Sequence, residues 1–161
     1  MSDAPLKLSA RDAVDLEVLS SLLQDSIVPL SDMAYLRDER RFALAVSRFR
    51  WEKVAPGRSD AQAHARRGEA AREPTGERIN CGVRFEGVSR VTFRSLDTSR
   101  RDAVQELSAV RHQDDAIILV FAGGGMVRLE VDGILCHLED FGAPWPTMFR
   151  PHHGPDISSQ D

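Results

Sequence analysis

Residues 116–138 read AIILVFAGGGMVRLEVDGILCHL, and their spacing decides the fold class of the whole chain. The apolar run from Ile117 to Phe121 ends at a glycine triplet. An alternating Val127-Arg128-Leu129-Glu130-Val131 follows, then an Asp132-Gly133 turn and a further stretch from Ile134 to Leu138. Runs this short, on turns this tight, are strands of a meander rather than helices. Gly123-Gly124-Gly125 follows one strand and leads into another, with no Lys-Ser/Thr behind it. It therefore reads as a hairpin turn that needs positive φ, and neither as a phosphate-cradling loop nor as a dinucleotide fingerprint.

Working outward, Val104 to Arg111 fits a strand better than a short helix, because of the hairpins that follow it. Asn80 to Phe85 and Val88 to Arg94 are two more, separated by a kink at Glu86-Gly87. Arg41 to Trp51 is a long strand with Phe42, Leu44 and Val46 on one face and Ala43, Ala45, Phe49 and Trp51 on the other. Both faces are partly apolar, as expected of a strand covered on both sides. Ile27 to Leu30 and Met33 to Leu36 are short strands before the charged turn Arg37-Asp38-Glu39-Arg40. Nearest the N-terminus, Leu6-Lys7-Leu8 is a strand candidate, and Ser9 with Asp12 three residues on forms a capping-box variant. It opens a helix running to about Gln24, with Leu16, Leu19 and Leu23 on one row and Val14, Val18 and Leu22 on the next.

The expected fold is therefore α+β, mostly antiparallel β, with one N-terminal amphipathic helix. Residues 1–150 form a single domain, and 151–161 a flexible C-terminal tail. The stretch 55–78, APGRSDAQAHARRGEAAREPTGER, contains no Val, Ile, Leu, Met, Phe, Trp, Tyr or Cys. With nothing to bury against the entropy of ordering, it is expected to be a mobile excursion. Val83-Arg84-Phe85-Glu86-Gly87-Val88-Ser89-Arg90-Val91 resembles Val127-Arg128-Leu129-Glu130-Val131-Asp132-Gly133-Ile134 with a one-residue gap, and two strands joined by a charged turn precede each. Two readings fit this likeness: a duplicated four-stranded meander, or the similarity that alternating strands share by default. The strand order decides between them.

The chain has 161 residues, a length suited to one domain, and a net charge of −4. That field does not favour nucleic acid or anionic lipid. Its longest apolar run, Ala116 to Ala122, is far shorter than the roughly 20 residues of a membrane-spanning helix. MSDAPLKLSARD lacks the features of a secretory signal, so the cytoplasm is the expected location, with Cys81 and Cys136 as reduced thiols on strands. His152-His153, with His137, Asp156 and Cys136, lack a ligand spacing that would hold a metal. The acid pairs Asp114-Asp115 and Glu139-Asp140 read as turn and strand-end residues. No serine or cysteine stands in an activating context. No catalytic, cofactor or metal residues are assigned.

Phe141-Gly142-Ala143-Pro144-Trp145-Pro146-Thr147-Met148-Phe149 carries four large apolar side chains on a proline-stiffened stretch. They either pack back on the sheet or present an anchor, in which case Phe141, Trp145, Met148 and Phe149 would contact a partner protein or a second copy of the chain. The blocks QDSIVPLSDMAYLRDERRFALAVSRFRWE (24–52) and FAGGGMVRLEVDGILCHLEDFGAPWPT (121–147) resemble the signature blocks of a small family of uncharacterised bacterial proteins, found mainly in alphaproteobacteria. The resemblance covers roughly residues 6–147 without the 55–78 excursion. It implies a bacterial, cytoplasmic, single-domain protein and brings no activity, ligand or catalytic residue with it. A non-catalytic binding or protein-interaction module is the leading expectation. A small enzyme with a site assembled from distant strands is the alternative, to be marked by a pocket gathering several of Arg84, Arg94, Arg128, Asp97 and His137.

Overall fold

The computed structural model describes residues 5–53 and 76–147. Most of the 55–78 excursion lies outside the described residues, as do Met148, Phe149, His152, His153, Asp156 and the 151–161 tail. The described strands are β1 (Lys7–Ala10), β2 (Ser26–Pro29), β3 (Met33–Leu36), β4 (Arg41–Phe49), β5 (Gly76–Glu86), β6 (Val88–Arg94), β7 (Val104–Gln113), β8 (Ala116–Phe121), β9 (Met126–Val131) and β10 (Cys136–Thr147). One helix, α1 (Ala13–Leu23), stands between β1 and β2. The strands pair antiparallel in one sheet of order β1-β10-β5-β4-β2-β7-β8-β9-β6, with β3 beside β4. The fold is α+β and mostly antiparallel, as the alternating pattern predicts.

Several boundaries move for identifiable reasons. Ser9 does not cap the helix; it belongs to β1, and Asp12 takes the role, its Oδ1 accepting the Asp15 amide at 2.8 Å. Asp15 reaches back to the Arg11 amide at 3.1 Å, which completes a reciprocal cap one turn later than expected. β4 stops at Phe49 because Trp51 turns away to give its indole N–H to the Gln24 carbonyl at 3.0 Å. β5 begins at Gly76, inside the apolar-free stretch, since Arg78 stacks over the Phe49 ring and donates to the Ser47 carbonyl. β10 starts at Cys136 rather than Ile134 and runs through Pro144 and Pro146. Beyond Glu139 it has β5 on one side but no longer β1, so the missing proline N–H groups are tolerated.

Only one row of α1 is buried. Leu16, Leu19 and Leu23 enter the core with Phe42, Leu44, Val46, Phe85 and Leu138, while Val14 and Val18 stay exposed. The helix therefore seals the face of the sheet carrying Phe42, Leu44 and Val46, while the opposite face of β4 is open at Ala43 and Ala45 and covered at Phe49, which is buried under Arg78. The expectation of a strand covered on both sides holds only at that end.

The pairing pattern bears on the repeat. β4 and β5 pair antiparallel, and β8 and β9 form a hairpin, but β6 leaves its own half to pair with β9 and β10 leaves its half to pair with β5. Counting β3-β4-β5-β6 against β7-β8-β9-β10, the pairings β3–β4, β4–β5 and β6–β9 match β7–β8, β8–β9 and β10–β5, whereas the pairings of β1 with β10 and of β2 with β4 and β7 have no counterpart. The turns before β4 and β8 both carry a left-handed residue, Arg40 at φ 53° and Asp114 at φ 57°. The matched pairings and turn residues are what a duplicated meander with exchanged last strands would show, while the β1 and β2 pairings are not shared between the halves. The glycine triplet does form the β8–β9 turn, with Gly124 at φ 99°.

Cys81 and Cys136 are free, fully buried and opposite different partners, Asp140 and Phe85. Burial, followed by the negative charge of Asp140, pushes the Cys81 thiol up to about 12; burial likewise raises Cys136. Neither thiol should react with a chromogenic disulfide reagent at neutral pH, and both should titrate once the chain is unfolded in guanidinium. Rapid labelling of folded protein would show that the β5–β10 ladder opens readily.

Candidate functional site

The uncovered face of β3, β4, β5 and β10 forms the site. On β4 the residues alternate, so Phe42, Leu44 and Val46 point to the core and Ala43 and Ala45 to the other side. The register aligns Ala34 with Ala43, Arg84 and His137 in one cross-strand row, and Ala45 with Gly82 and Glu139 in the next. A third row holds Ile27, Ser47, Asn80 and Phe141; a fourth holds Phe49, Arg78 and Trp145. Where four adjacent positions are alanine or glycine, the sheet has no side chains to fill its concavity. The result is a hollow of about 460 Å³ floored by Ala34, Ala43, Ala45 and Gly82 and rimmed by Asp32, Arg84, Glu139 and Phe141.

The rim groups are held. Arg84 donates to Glu86 at 3.2 Å, and Glu86 also receives Arg41 at 3.0 Å. At the β1 end of the first row, Ser9 Oγ lies 2.8 Å from His137 Nδ1. Burial, then the positive charge of Arg84, lowers the His137 pKa below its ordinary value, so the imidazole is neutral at pH 7.

Beneath the hollow the floor is pinned by buried charge. Arg48 continues the core-facing row of β4, and its side chain is completely buried, as is that of Asp140 on β10. The guanidinium grips Asp140 with two 2.8 Å bonds, Nε to Oδ1 and Nη2 to Oδ2, and holds Glu52 with two more at 3.0 and 2.8 Å. Asp140 also exchanges backbone contacts with Leu6, whose amide donates to its carboxylate at 3.0 Å and whose carbonyl accepts its amide at 2.9 Å. One side chain thus ties β1, β4 and β10 together across β5. Burial works to raise the Asp140 pKa, but the Arg48 hydrogen bonds and the Leu6 amide outweigh it and hold the carboxyl below its usual range. Glu52 is lowered the same way, by Arg48 against burial. Arg50 extends the network to Glu77 at 2.8 Å.

Asp140 is a mid-strand core residue rather than a strand-end one, and its buried partner is Arg48. Both were visible in principle. Position 48 continues the Phe42-Leu44-Val46 row, and position 140 the Cys136-Leu138 row, so each is a charged residue placed by alternation on an apolar face. Asp114 and Asp115 do occupy a turn, between β7 and β8. Of the four residues expected to meet a partner, Phe141 rims the hollow, 48% exposed, and Trp145 shares its strand, 38% exposed. Arg84 also rims the hollow and His137 stands next to it in the row. Arg94 and Arg128 lie on β6 and β9, and Asp97 in the turn after β6, so these five residues do not converge.

A family model described as a protein of unknown function (DUF2948) matches residues 6–153. The chain belongs to this family. No curated protein and no solved structure matches it. The DUF2948 match spans both strand-exchanged halves, so the whole described sheet is the family's domain. Among the described residues, no helix is long and apolar enough to cross a membrane.

Proposed function

We propose that the protein is a non-catalytic, cytoplasmic protein-interaction module whose binding face is the hollow on β3, β4, β5 and β10. The observation that carries this reading is the floor of Ala34, Ala43, Ala45 and Gly82 beside exposed Phe141. An apolar concavity of methyl-sized residues accepts a bulky side chain from a partner, and a flanking aromatic supplies the desolvated contact on which interfaces depend. A homodimer through the same face is one form of this reading. Two buried, unpaired thiols accord with a reducing compartment.

Gly82→Leu is the decisive variant. A Cβ at this position meets nothing closer than the Glu139 carbonyl at 3.9 Å, so the added side chain fills the hollow without straining the sheet. In affinity capture from native cell extract, with sedimentation to read self-association, Gly82→Leu and Phe141→Ser should each weaken retention by roughly tenfold or more. Val14→Ser, on the far side of the helix, should leave retention unchanged. Equal retention by all chains, or a monomeric wild type that retains nothing, overturns the reading.

The Ser9–His137 contact favours a second reading, a small serine hydrolase with a site built from segments far apart in the chain. Covalent labelling by a fluorophosphonate, lost in Ser9→Ala, would decide for it.

A further inference from the structure

The sheet leaves a second opening, which shares only Ala34 with the lining of the hollow. β3 pairs only with β4, and β6 only with β9, so each has a free edge. These edges face one another. At one end they are bridged, the Tyr35 hydroxyl donating to the Val88 carbonyl at 2.8 Å. At the other end the turn after β6 is tied to the segment before β3, with the Leu30 amide donating to the Ala103 carbonyl at 3.0 Å. Between these two ties lies a cavity of about 430 Å³, within the size range of small-molecule sites.

Its composition is asymmetric. Leu30, Met33 and Phe42 are buried at its base, and Phe93, 41% exposed, stands at its side. Thr98 and Arg101 line its mouth, and Arg101 is the one charged residue in the lining. Two carboxylates stand on the turn: Asp97, engaged by the Ser99 amide and hydroxyl, and Asp102, next to Arg101 in the chain. The Arg101 guanidinium reaches the Ser31 carbonyl at a long 3.4 Å and pairs with no carboxylate among the described residues. An apolar slot that ends at one cation without a carboxylate partner is complementary to an anion with a hydrophobic body.

We propose that this slot binds a small amphipathic carboxylate, with its hydrocarbon part against Phe42, Met33 and Phe93 and its acid group on Arg101. The site takes its apolar base and its charge from residues outside the protein-binding hollow, and the proposal stands whether or not that reading holds.

Calorimetric titration with octanoate, and with octanol as the neutral counterpart, tests it on the full-length chain. Octanoate should bind more tightly than octanol. Arg101→Gln should weaken octanoate about tenfold or more and leave octanol unchanged, since a charge-assisted hydrogen bond is lost and the apolar contact is not. Thr98→Trp, at the exposed mouth, should block both ligands. Gly82→Leu, in the hollow, should affect neither. An unchanged circular-dichroism spectrum certifies that each variant is folded, and Arg101→Met, which also removes the charge, replaces Arg101→Gln should the latter unfold. Equal binding of acid and alcohol, indifference to Arg101, sensitivity to Gly82→Leu instead of Thr98→Trp, or no octanoate binding at millimolar concentration each overturns the proposal.

Discussion

Replacing Arg48 with methionine is expected to destabilise the protein by about 3–5 kcal/mol, because it leaves the Asp140 carboxylate in a site without solvent and without its cation. Urea unfolding followed by intrinsic Trp fluorescence measures the loss. A native domain is stable by only about 5–15 kcal/mol, so the variant should sit near the edge of folding at 37 °C. The double variant Arg48→Met/Asp140→Leu removes both charges and should recover most of the loss, since apolar replacements of a buried pair are often neutral or better. If Arg48→Met costs less than about 1 kcal/mol, water reaches Asp140 and the burial argument is wrong. The same pair sets the acid limb of the stability curve. Asp140 and Glu52 have folded-state pKa values below their unfolded values. Their stabilisation is therefore fully present above the unfolded values near ~4, and is lost as pH falls through the lower folded ones. Asp140→Asn should flatten that limb even where its stability at pH 7 is reduced.

Separating the chain into 1–99 and 100–161 should abolish folding of both pieces, although the cut falls in an exposed turn and breaks no strand. The 1–99 piece keeps β4 and β5 but loses β10, which pairs with β5 along most of its length and carries Asp140. The 100–161 piece keeps β7, β8 and β9 but loses β6, which covers β9, and the helix that seals the core. Each piece thus exposes an unpaired edge beside an open apolar face, and neither buries enough to offset chain entropy. Mixed or co-expressed, the pieces should reassociate and recover the native circular-dichroism spectrum. A separate piece that melts cooperatively by itself would show that the exchange of β6 and β10 is not what holds the halves together.

Much of this architecture is legible locally. Strands β4 to β9 follow from alternation and turn residues, and the β8–β9 hairpin from a glycine triplet, because pleat and turn are set by each residue and its immediate neighbours. The boundaries that moved did so where a distant group intervened. Trp51 leaves β4 for the Gln24 carbonyl, and polar Gly76-Glu77-Arg78 becomes strand because Phe49 and β10 lie beside it. The Ala43-x-Ala45 spacing was readable as a small-residue face. That it borders Ala34 and Gly82, and so forms a hollow, depends on register between strands far apart in the chain.

The sequence by itself determined an antiparallel sheet with one helix, the inward row of β4, and a likeness between two halves, since each follows from short-range periodicity. Only the tertiary structure decided which halves' strands pair, that Arg48 meets Asp140 across 92 positions, and where the sheet is left uncovered. Pairing partners are chosen by the burial each alternative achieves over the whole chain, and no local stretch of residues carries that sum.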